Sequence, residues 1–123
     1  MERWVKVYNH SRTGEPILRA RWCSSFACRL RGLTFRRSLS PGEGLVLVES
    51  RESISQSGIH MIAVWMDLGV VWMDAGFKVV DSVCAKPWRV YLPAAPARYT
   101  LEGDPAILQK VSIGDVLELV DEA

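Results

Sequence analysis

The feature of the sequence that most constrains the fold is an apolar run over residues 58–74, GIHMIAVWMDLGVVWMD. It holds one acidic residue before its end, Asp67, and no lysine or arginine. A transmembrane helix needs roughly 20 apolar residues, and this run is shorter and is interrupted by Asp67 and Gly69. We therefore predict no insertion into a membrane. Instead, residues 59–66 and 70–74 should form two consecutive buried strands joined by a tight turn.

Length and composition indicate a single domain over residues 1–123. The chain is 49% hydrophobic and 24% charged, which is typical of a folded protein rather than a disordered one. Its three cysteines are an odd number, which argues against a disulfide framework. The first residues lack the charged and apolar regions of a secretory signal. We therefore expect a cytoplasmic protein with reduced cysteines.

Period-two alternation and turn residues predict about eight short strands along the chain. Residues 4–8 and 17–22 should form one half-buried hairpin. The two strands of the apolar run should continue into a third, residues 77–84, so that the three make a meander. The loop before this third strand contains Gly76, for which we expect a positive φ.

Two short helices complete the predicted fold. The first should be capped by Ser24 or Ser25, and the second should begin at Asp104, which a proline follows. Three residues of the first helix form one apolar stripe that should dock it onto the sheet: Phe26, Leu30 and Leu33. These elements predict a mainly β fold, a compact antiparallel β-barrel or sandwich with both helices at its edge.

Several short motifs follow one another in order between about residue 17 and residue 120. They are Arg29-Leu30-Arg31-Gly32-Leu33-Thr34-Phe35-Arg36, Gly42-Glu43-Gly44-Leu45, Ile59-His60-Met61, Val70-Val71-Trp72-Met73-Asp74, Phe77-Lys78-Val79-Val80 and Ile113-Gly114-Asp115-Val116-Leu117-Glu118-Leu119. In this order they resemble the domain of unknown function 192 family, also named uncharacterised protein family 0127. The resemblance implies a compact, mostly β fold with helices at its edge, and it brings no assigned activity. Two positions depart from the family pattern: Thr34 replaces a methionine, and Gly69 replaces the aspartate of a Pro-x-Asp turn.

Arginines near the first helix and the histidine that opens the apolar run suggest an anion site. Arg29, Arg31 and Arg36 lie around the end of the predicted helix, and arginine forks suit carboxylate or phosphate groups. If this segment meets His60 at one end of the barrel, the four side chains would line a small polar cleft. Alternatively, the arginines are solvated charges that complement the helix dipole. His60 would then be a structural histidine whose ring bonds to backbone.

The proline-rich segment over residues 86–97 is predicted to be a long loop that presents two aromatic side chains. Trp88 and Tyr91 would form an aromatic lip for a sugar or a base, or they would pack back onto the core. We include Trp88 among the candidate ligand-binding residues.

Metal binding and nucleic-acid binding have less support. Cys23 and Cys28 are spaced C-x4-C, whereas zinc sites use tighter, paired spacings. Cys28 also falls opposite the apolar stripe, so the two thiols should point apart. We therefore expect no metal and no cofactor. A pI of about 7.7 lacks the basic footprint of nucleic-acid-binding domains, so we expect no nucleic-acid partner.

Two functional hypotheses follow. The favoured one is a non-catalytic binding module for a small polar or anionic ligand, held by the arginines, His60 and Trp88. The alternative is a small hydrolase-like enzyme in which His60 is the base and Asp74 or Asp81 orients it. This alternative requires the imidazole and one carboxylate within hydrogen-bond reach of each other.

Overall fold

The computed structural model describes residues 2–12, 14–33, 38–40 and 42–122. Its elements, in chain order, are β1 (Trp4–Asn9), β2 (Leu18–Cys23), α1 (Phe26–Arg31), β3 (Glu43–Ser53), β4 (Ile59–His60), β5 (Leu68–Met73), β6 (Val79–Ala85), β7 (Val90–Tyr91), β8 (Ala97–Gly103), a 3₁₀ helix (Pro105–Lys110) and β9 (Leu117–Asp121). The described chain is thus mainly β with two short helices, as the sequence predicts. Neither helix of this part of the chain has the length and apolar character to cross a bilayer.

Seven strands form one curled sheet in the order β6-β5-β8-β3-β2-β1-β9, while β4 and β7 pair separately. Its two edge strands meet at one end, where Leu117 N donates to Phe77 O (2.9 Å) and Val79 N donates to Asp115 O (2.8 Å). The expected antiparallel order has one exception, because β2 and β3 run parallel. The segment between them, which includes α1, is the crossover that a parallel pair requires.

The sheet has an apolar cluster on each face, because successive side chains of a strand point to opposite sides. Val46 and Val71 belong to one cluster, which also contains Ile107 of the 3₁₀ helix. Leu45 and Val70 belong to the other. The second cluster is covered by the segments around α1 and β4, and the candidate site lies there.

The apolar run forms one long buried strand, β5, and before it only the two-residue strand β4. Strand β5 is buried along its whole length and pairs with β6 and β8. The other predicted strand, residues 59–66, stops at His60. Met61 N donates to Arg89 O (2.7 Å) and Met61 O accepts from Trp88 N (2.7 Å), after which Ala63 adopts φ 57°. The chain therefore turns, and the predicted three-strand meander is wrong.

The predicted apolar stripe of the first helix is also wrong in two of its three positions. Phe26 is 73% exposed and Leu30 is 62% exposed, whereas Leu33 is buried. The helix ends at Arg31, so it is too short for a stripe over seven residues to form one face. Its N-cap agrees with the prediction, because Ser25 accepts a hydrogen bond from Cys28 N (3.1 Å). Gly32 closes the helix at φ 50°.

Cys23 and Cys28 form a disulfide, which corrects the prediction of three reduced cysteines with diverging thiols. Cys23 ends β2 and Cys28 lies in the helix that begins three residues later, so the turn brings their Cα atoms to 5.6 Å, a usual disulfide separation. Cys84 is free. Because disulfides persist mainly in oxidising compartments, the cysteines no longer support the expected reducing compartment.

In the loop between β5 and β6, the positive φ predicted for Gly76 is wrong. The residue with positive φ is Phe77 (φ 65°), and Gly76 is not among those with positive φ. Asp74 fixes the turn, because its Oδ1 accepts from Gly76 N (2.9 Å) and from Lys78 N (3.0 Å). Two other predictions are confirmed: β1 and β2 form an antiparallel hairpin, and Asp104 caps the 3₁₀ helix.

Candidate functional site

A small pocket of about 50 Å³ lies between the end of α1 and β4. It is lined by Arg29, Leu30, Arg31, Gly32, Leu33, Leu47, Gly58, Ile59, His60, Met61, Val64, Leu68 and Glu102, and we call it the Glu102 pocket. The structure thus brings together three residues of the predicted cleft: Arg29, Arg31 and His60. Arg36 lies outside the described residues, and Trp88 does not line the pocket.

The residue that distinguishes this pocket is Glu102, the penultimate residue of β8. It lies between Leu45 of β3 and Val70 of β5 in the sheet, and its side chain shares their apolar face. Glu102 is only 5% exposed. Within the described part of the chain, its carboxyl group has no hydrogen bond or ion pair. Desolvation by burial raises the pKa of Glu102 to about 7.

The two arginines of the pocket differ in how they are held. Arg29 Nη1 donates to Val48 O (2.9 Å) and lies 3.7 Å from Glu49 Oε2, so this guanidinium is already partnered. Arg31 is exposed and has no hydrogen bond or ion pair to any residue that the structure describes. Arg31 is therefore the cation of the pocket that is open to a ligand.

His60 is exposed at the end of β4, where it pairs with Val90 of β7. No hydrogen bond or ion pair among the described residues joins it to Asp74 or Asp81. Asp74 holds its own turn, while Asp81 accepts from Ser82 N (2.8 Å) and from Ala94 N (2.8 Å). The structure does not assemble the constellation that the hydrolase hypothesis requires.

Trp88 and Tyr91, the two residues of the predicted aromatic lip, make separate contacts. Trp88 is 55% exposed and packs edge-to-face against Trp65, with ring centroids 5.4 Å apart. Tyr91 instead accepts a hydrogen bond on its hydroxyl from Lys86 N (2.9 Å). Trp88 therefore presents its ring at a surface separate from the Glu102 pocket.

Metal ligands do not gather in the part of the chain that the structure describes. The sulfur atoms of Cys23 and Cys28 are joined to each other, so they are not available as thiolates. No three side chains of His, Cys, Asp or Glu among residues 2–12, 14–33, 38–40 and 42–122 lie together as a possible metal site.

A larger groove of about 510 Å³ runs beside the 3₁₀ helix. Its acidic side chains all have partners: Glu43 pairs with Arg19 (2.8 Å), Asp67 pairs with Lys86 (2.7 Å), and Asp104 accepts from a helix N–H. We favour the smaller pocket because its buried carboxyl group has no partner within residues 2–12, 14–33, 38–40 and 42–122.

The position that departs from the family pattern lies against the 3₁₀ helix. A Cβ atom on Gly69 would come within 2.8 Å of Asp104 O and 2.8 Å of Ile107 Cγ1. An aspartate therefore does not fit at this position of β5 without movement of the helix. Packing of the 3₁₀ helix thus occupies the space that an aspartate side chain would need here.

Sequence reasoning missed Glu102. It lies in β8, and alternation alone puts a glutamate of a half-buried strand in solvent. In the sequence, Glu102 stands out only as a charged residue between Leu101 and Gly103. Nothing in the sequence shows that both faces of β8 are covered.

Comparison with known proteins agrees with the family resemblance seen in the sequence. A model of the DUF192 family, described as Uncharacterized ACR, matches residues 8–119. The UPF0127 protein of Pyrococcus furiosus is 31% identical over 114 residues, covering 91% of this chain and 96% of that protein. The UPF0127 protein of Thermococcus kodakarensis is 33% identical over 95 residues, and the match spans 76% of this chain but 59% of that relative. The crystal structure of a proposed transcription regulator from Sinorhizobium meliloti has the same fold, with a TM-score of 0.82 over 97% of this chain and 94% of that one, at 19% identity. The chain belongs to the DUF192 family.

Proposed function

We propose that this protein is a non-catalytic binding module that holds a small polar or anionic ligand in the Glu102 pocket. The observation that carries the proposal is the carboxyl group of Glu102, which is buried, open to the pocket and without a partner in the described chain. Burial of an unpaired carboxylate costs several kcal/mol, and such groups concentrate at functional sites. A bound ligand would supply the missing hydrogen bonds.

The size of the pocket limits what can enter it. Its volume is about 50 Å³, while a water molecule occupies about 30 Å³ of the liquid. The pocket therefore admits roughly one or two non-hydrogen atoms of a ligand, and the rest of the ligand lies at its mouth. This size excludes a whole sugar ring from the pocket.

The charges around the pocket favour a ligand with an anionic group. Arg31 offers a guanidinium that has no partner among the described residues, and its parallel N–H donors match two oxygens. His60 contributes an exposed imidazole ring at the end of β4. The proposed binding residues are those that line the pocket: Arg29, Arg31, His60 and Glu102. Trp88 does not line it and is not among them. Arg36 is outside the described residues and carries no part of the proposal.

The proposal is tested by thermal shift and by NMR of the His60 ring, with phosphate, acetate and a sugar acid as probes. We expect at least one probe to raise the melting temperature and to move the His60 resonances. Arg31→Ala should abolish both effects. Arg51→Ala is the matched control, because Arg51 is also exposed but does not line the pocket. If no probe changes either signal in the unmodified protein, the pocket is not an anion site.

The hydrolase alternative receives no support from a specific observation. Asp74 accepts hydrogen bonds from backbone N–H groups of its own turn, and Asp81 accepts one from Ala94 N, so both carboxylates already have structural partners. We therefore propose a binding function alone.

A further inference from the structure

The chemical class of the ligand can be narrowed from the arrangement of charges in the Glu102 pocket. A carboxyl group lies at the base and an arginine at the mouth, and neither has a partner in the described chain. The second arginine, Arg29, is held by Val48 O and Glu49, so it adds little attraction for an anion. The pocket thus offers an acceptor in its interior and a cation at its mouth.

A simple anion complements only one end of this arrangement. Its oxygens would meet the guanidinium of Arg31, but any oxygen that entered further would face the oxygens of Glu102. The buried carboxylate favours a ligand with a hydrogen-bond donor, because a polar group with little access to water is stabilised when it is hydrogen-bonded. A ligand with a donor close to its carboxylate satisfies both ends at once.

We infer that the ligand is a small carboxylic acid with a hydroxyl or ammonium group on the neighbouring carbon, so that the donor reaches Glu102 and the carboxylate meets Arg31. This inference rests on the proposed function. The donor with its carbon fills the space of about 50 Å³, and the carboxylate remains at the mouth. A 2-hydroxy acid and a 2-amino acid share this chemistry, and matched probes separate them.

Three probes of equal heavy-atom count differ only at the donor: propionate has a methyl group, glycolate a hydroxyl and glycine an ammonium. The dissociation constants of the three probes can be measured by calorimetry or NMR at about pH 8, where the carboxyl group of Glu102 is mostly ionised. We expect glycolate, glycine or both to bind at least about tenfold more tightly than propionate, because a site that hydrogen-bonds a donor rejects the analogue without one. The tighter of the two identifies the donor.

Variants test whether the named residues cause the preference. Glu102→Gln should reduce the preference for the donor to less than about threefold, since the amide replaces a charged acceptor by a neutral one. Arg31→Ala should weaken all three probes by a similar factor, because they share the carboxylate. Arg51→Ala should change none of them.

The pH dependence gives an independent readout. Burial raises the pKa of Glu102 to about 7, so the ionised fraction grows between pH 6 and pH 8. The preference for glycine or glycolate over propionate should grow over the same interval.

Two results would overturn the inference, and they are distinguishable. If propionate binds the unmodified protein as tightly as glycolate and glycine, the ligand class is wrong while the anion-binding function stands. If all three probes fail to bind, and phosphate, acetate and the sugar acid fail as well, the proposed function is also wrong.

Discussion

The carboxyl oxygen Oε1 of Glu102 lies beside Gly32. A Cβ atom at Gly32 would be 3.9 Å from this oxygen, an ordinary contact distance. Gly32 closes α1 with a positive φ of 50°, a conformation that favours glycine. The end of the helix therefore covers the glutamate with backbone and apolar side chains rather than with a charged partner. This enclosure explains both the raised pKa of Glu102 and the small size of the pocket.

The first prediction is that Glu102 makes stability decrease with rising pH. Its pKa is 4.5 in the ordinary state and about 7 when folded, so the folded protein holds the proton more tightly. The stabilising contribution is fully present below pH 4.5, is lost as pH rises through 7, and stays lost above it. The total loss is on the order of 3 kcal/mol. Urea denaturation of the unmodified protein and of Glu102→Gln at several pH values measures it as their difference.

A matched control separates this effect from the titration of other groups. Glu15→Gln removes an exposed carboxylate, and its unfolding free energy should follow that of the unmodified protein across the pH range. A constant difference between Glu102→Gln and the unmodified protein from pH 4 to pH 8 would show that Glu102 is not desolvated.

The second prediction concerns the attachment of α1. Leu33→Ala should lower the unfolding free energy by about 2–5 kcal/mol, because Leu33 is buried in the second apolar cluster. Phe26→Ala and Leu30→Ala should each change it by less than about 0.5 kcal/mol, since both side chains are exposed. Chemical denaturation of the three variants ranks them. Equal losses at Leu30 and Leu33 would restore the continuous stripe that the sequence predicts.

The elements that were predictable are those set by local chemistry. The β1–β2 hairpin follows from the alternation of apolar and polar residues. Asp104 caps its helix because its short carboxylate side chain accepts a hydrogen bond and a proline follows at the first helical position. The end of β4 was not predictable. It depends on hydrogen bonds between Met61 and the segment around Trp88, and those partners lie more than 25 residues away in the chain.

The candidate site was predictable in part for the same reason. Arg29, Arg31 and His60 carry side chains whose chemistry is visible in the sequence, and the structure places them on one pocket. Glu102 is equally visible as a residue, but its role comes from the covering of β8 on both faces. The disulfide was missed because the helix was expected to present Cys28 away from the sheet, an expectation that failed with the apolar stripe.

The third prediction is a count of thiols. In denaturant without reductant, the protein should show one free thiol per chain, that of Cys84, and after reduction it should show three. Reduction should also lower the unfolding free energy by about 2 kcal/mol, a modest value because the closed loop is short. Cys84→Ser is the control and should show no thiol before reduction. Three thiols without reductant would exclude the disulfide.

The fourth prediction tests the glycine that departs from the family pattern. Gly69→Ala should cost about 1–3 kcal/mol, because its Cβ would press on the 3₁₀ helix at Asp104 O and Ile107 Cγ1, both 2.8 Å away. Gly69→Asp should cost more, since it also buries a charge. Gly76→Ala is the control, because a Cβ there meets only Asp74 Oδ1 at 3.5 Å. If thermal denaturation finds Gly69→Asp neutral, the helix moves aside.

The last prediction links the disulfide to the Glu102 pocket. Helix α1 has no buried residue of its own, so it is held to the sheet mainly by the bond from Cys28 to Cys23 and by the hydrogen bond from Arg29 to Val48 O. Arg29 and Arg31 reach the pocket from this helix. Reduction should therefore let the helix leave its position for part of the time. If its docked fraction falls to about one third, the affinity for a bound anion falls about threefold, because apparent affinity scales with the competent fraction.

The measurement uses Cys84→Ser, in which the disulfide is the only reducible group, with phosphate or acetate as the probe. Its dissociation constant is compared before and after reduction, and thiol titration confirms that both sulfurs have been released. Weaker binding by the reduced protein, reversed on reoxidation, is the expected result. An unchanged dissociation constant with two titrated thiols would mean that Leu33 and Arg29 alone hold the wall of the pocket, and that the disulfide contributes to stability without shaping the site.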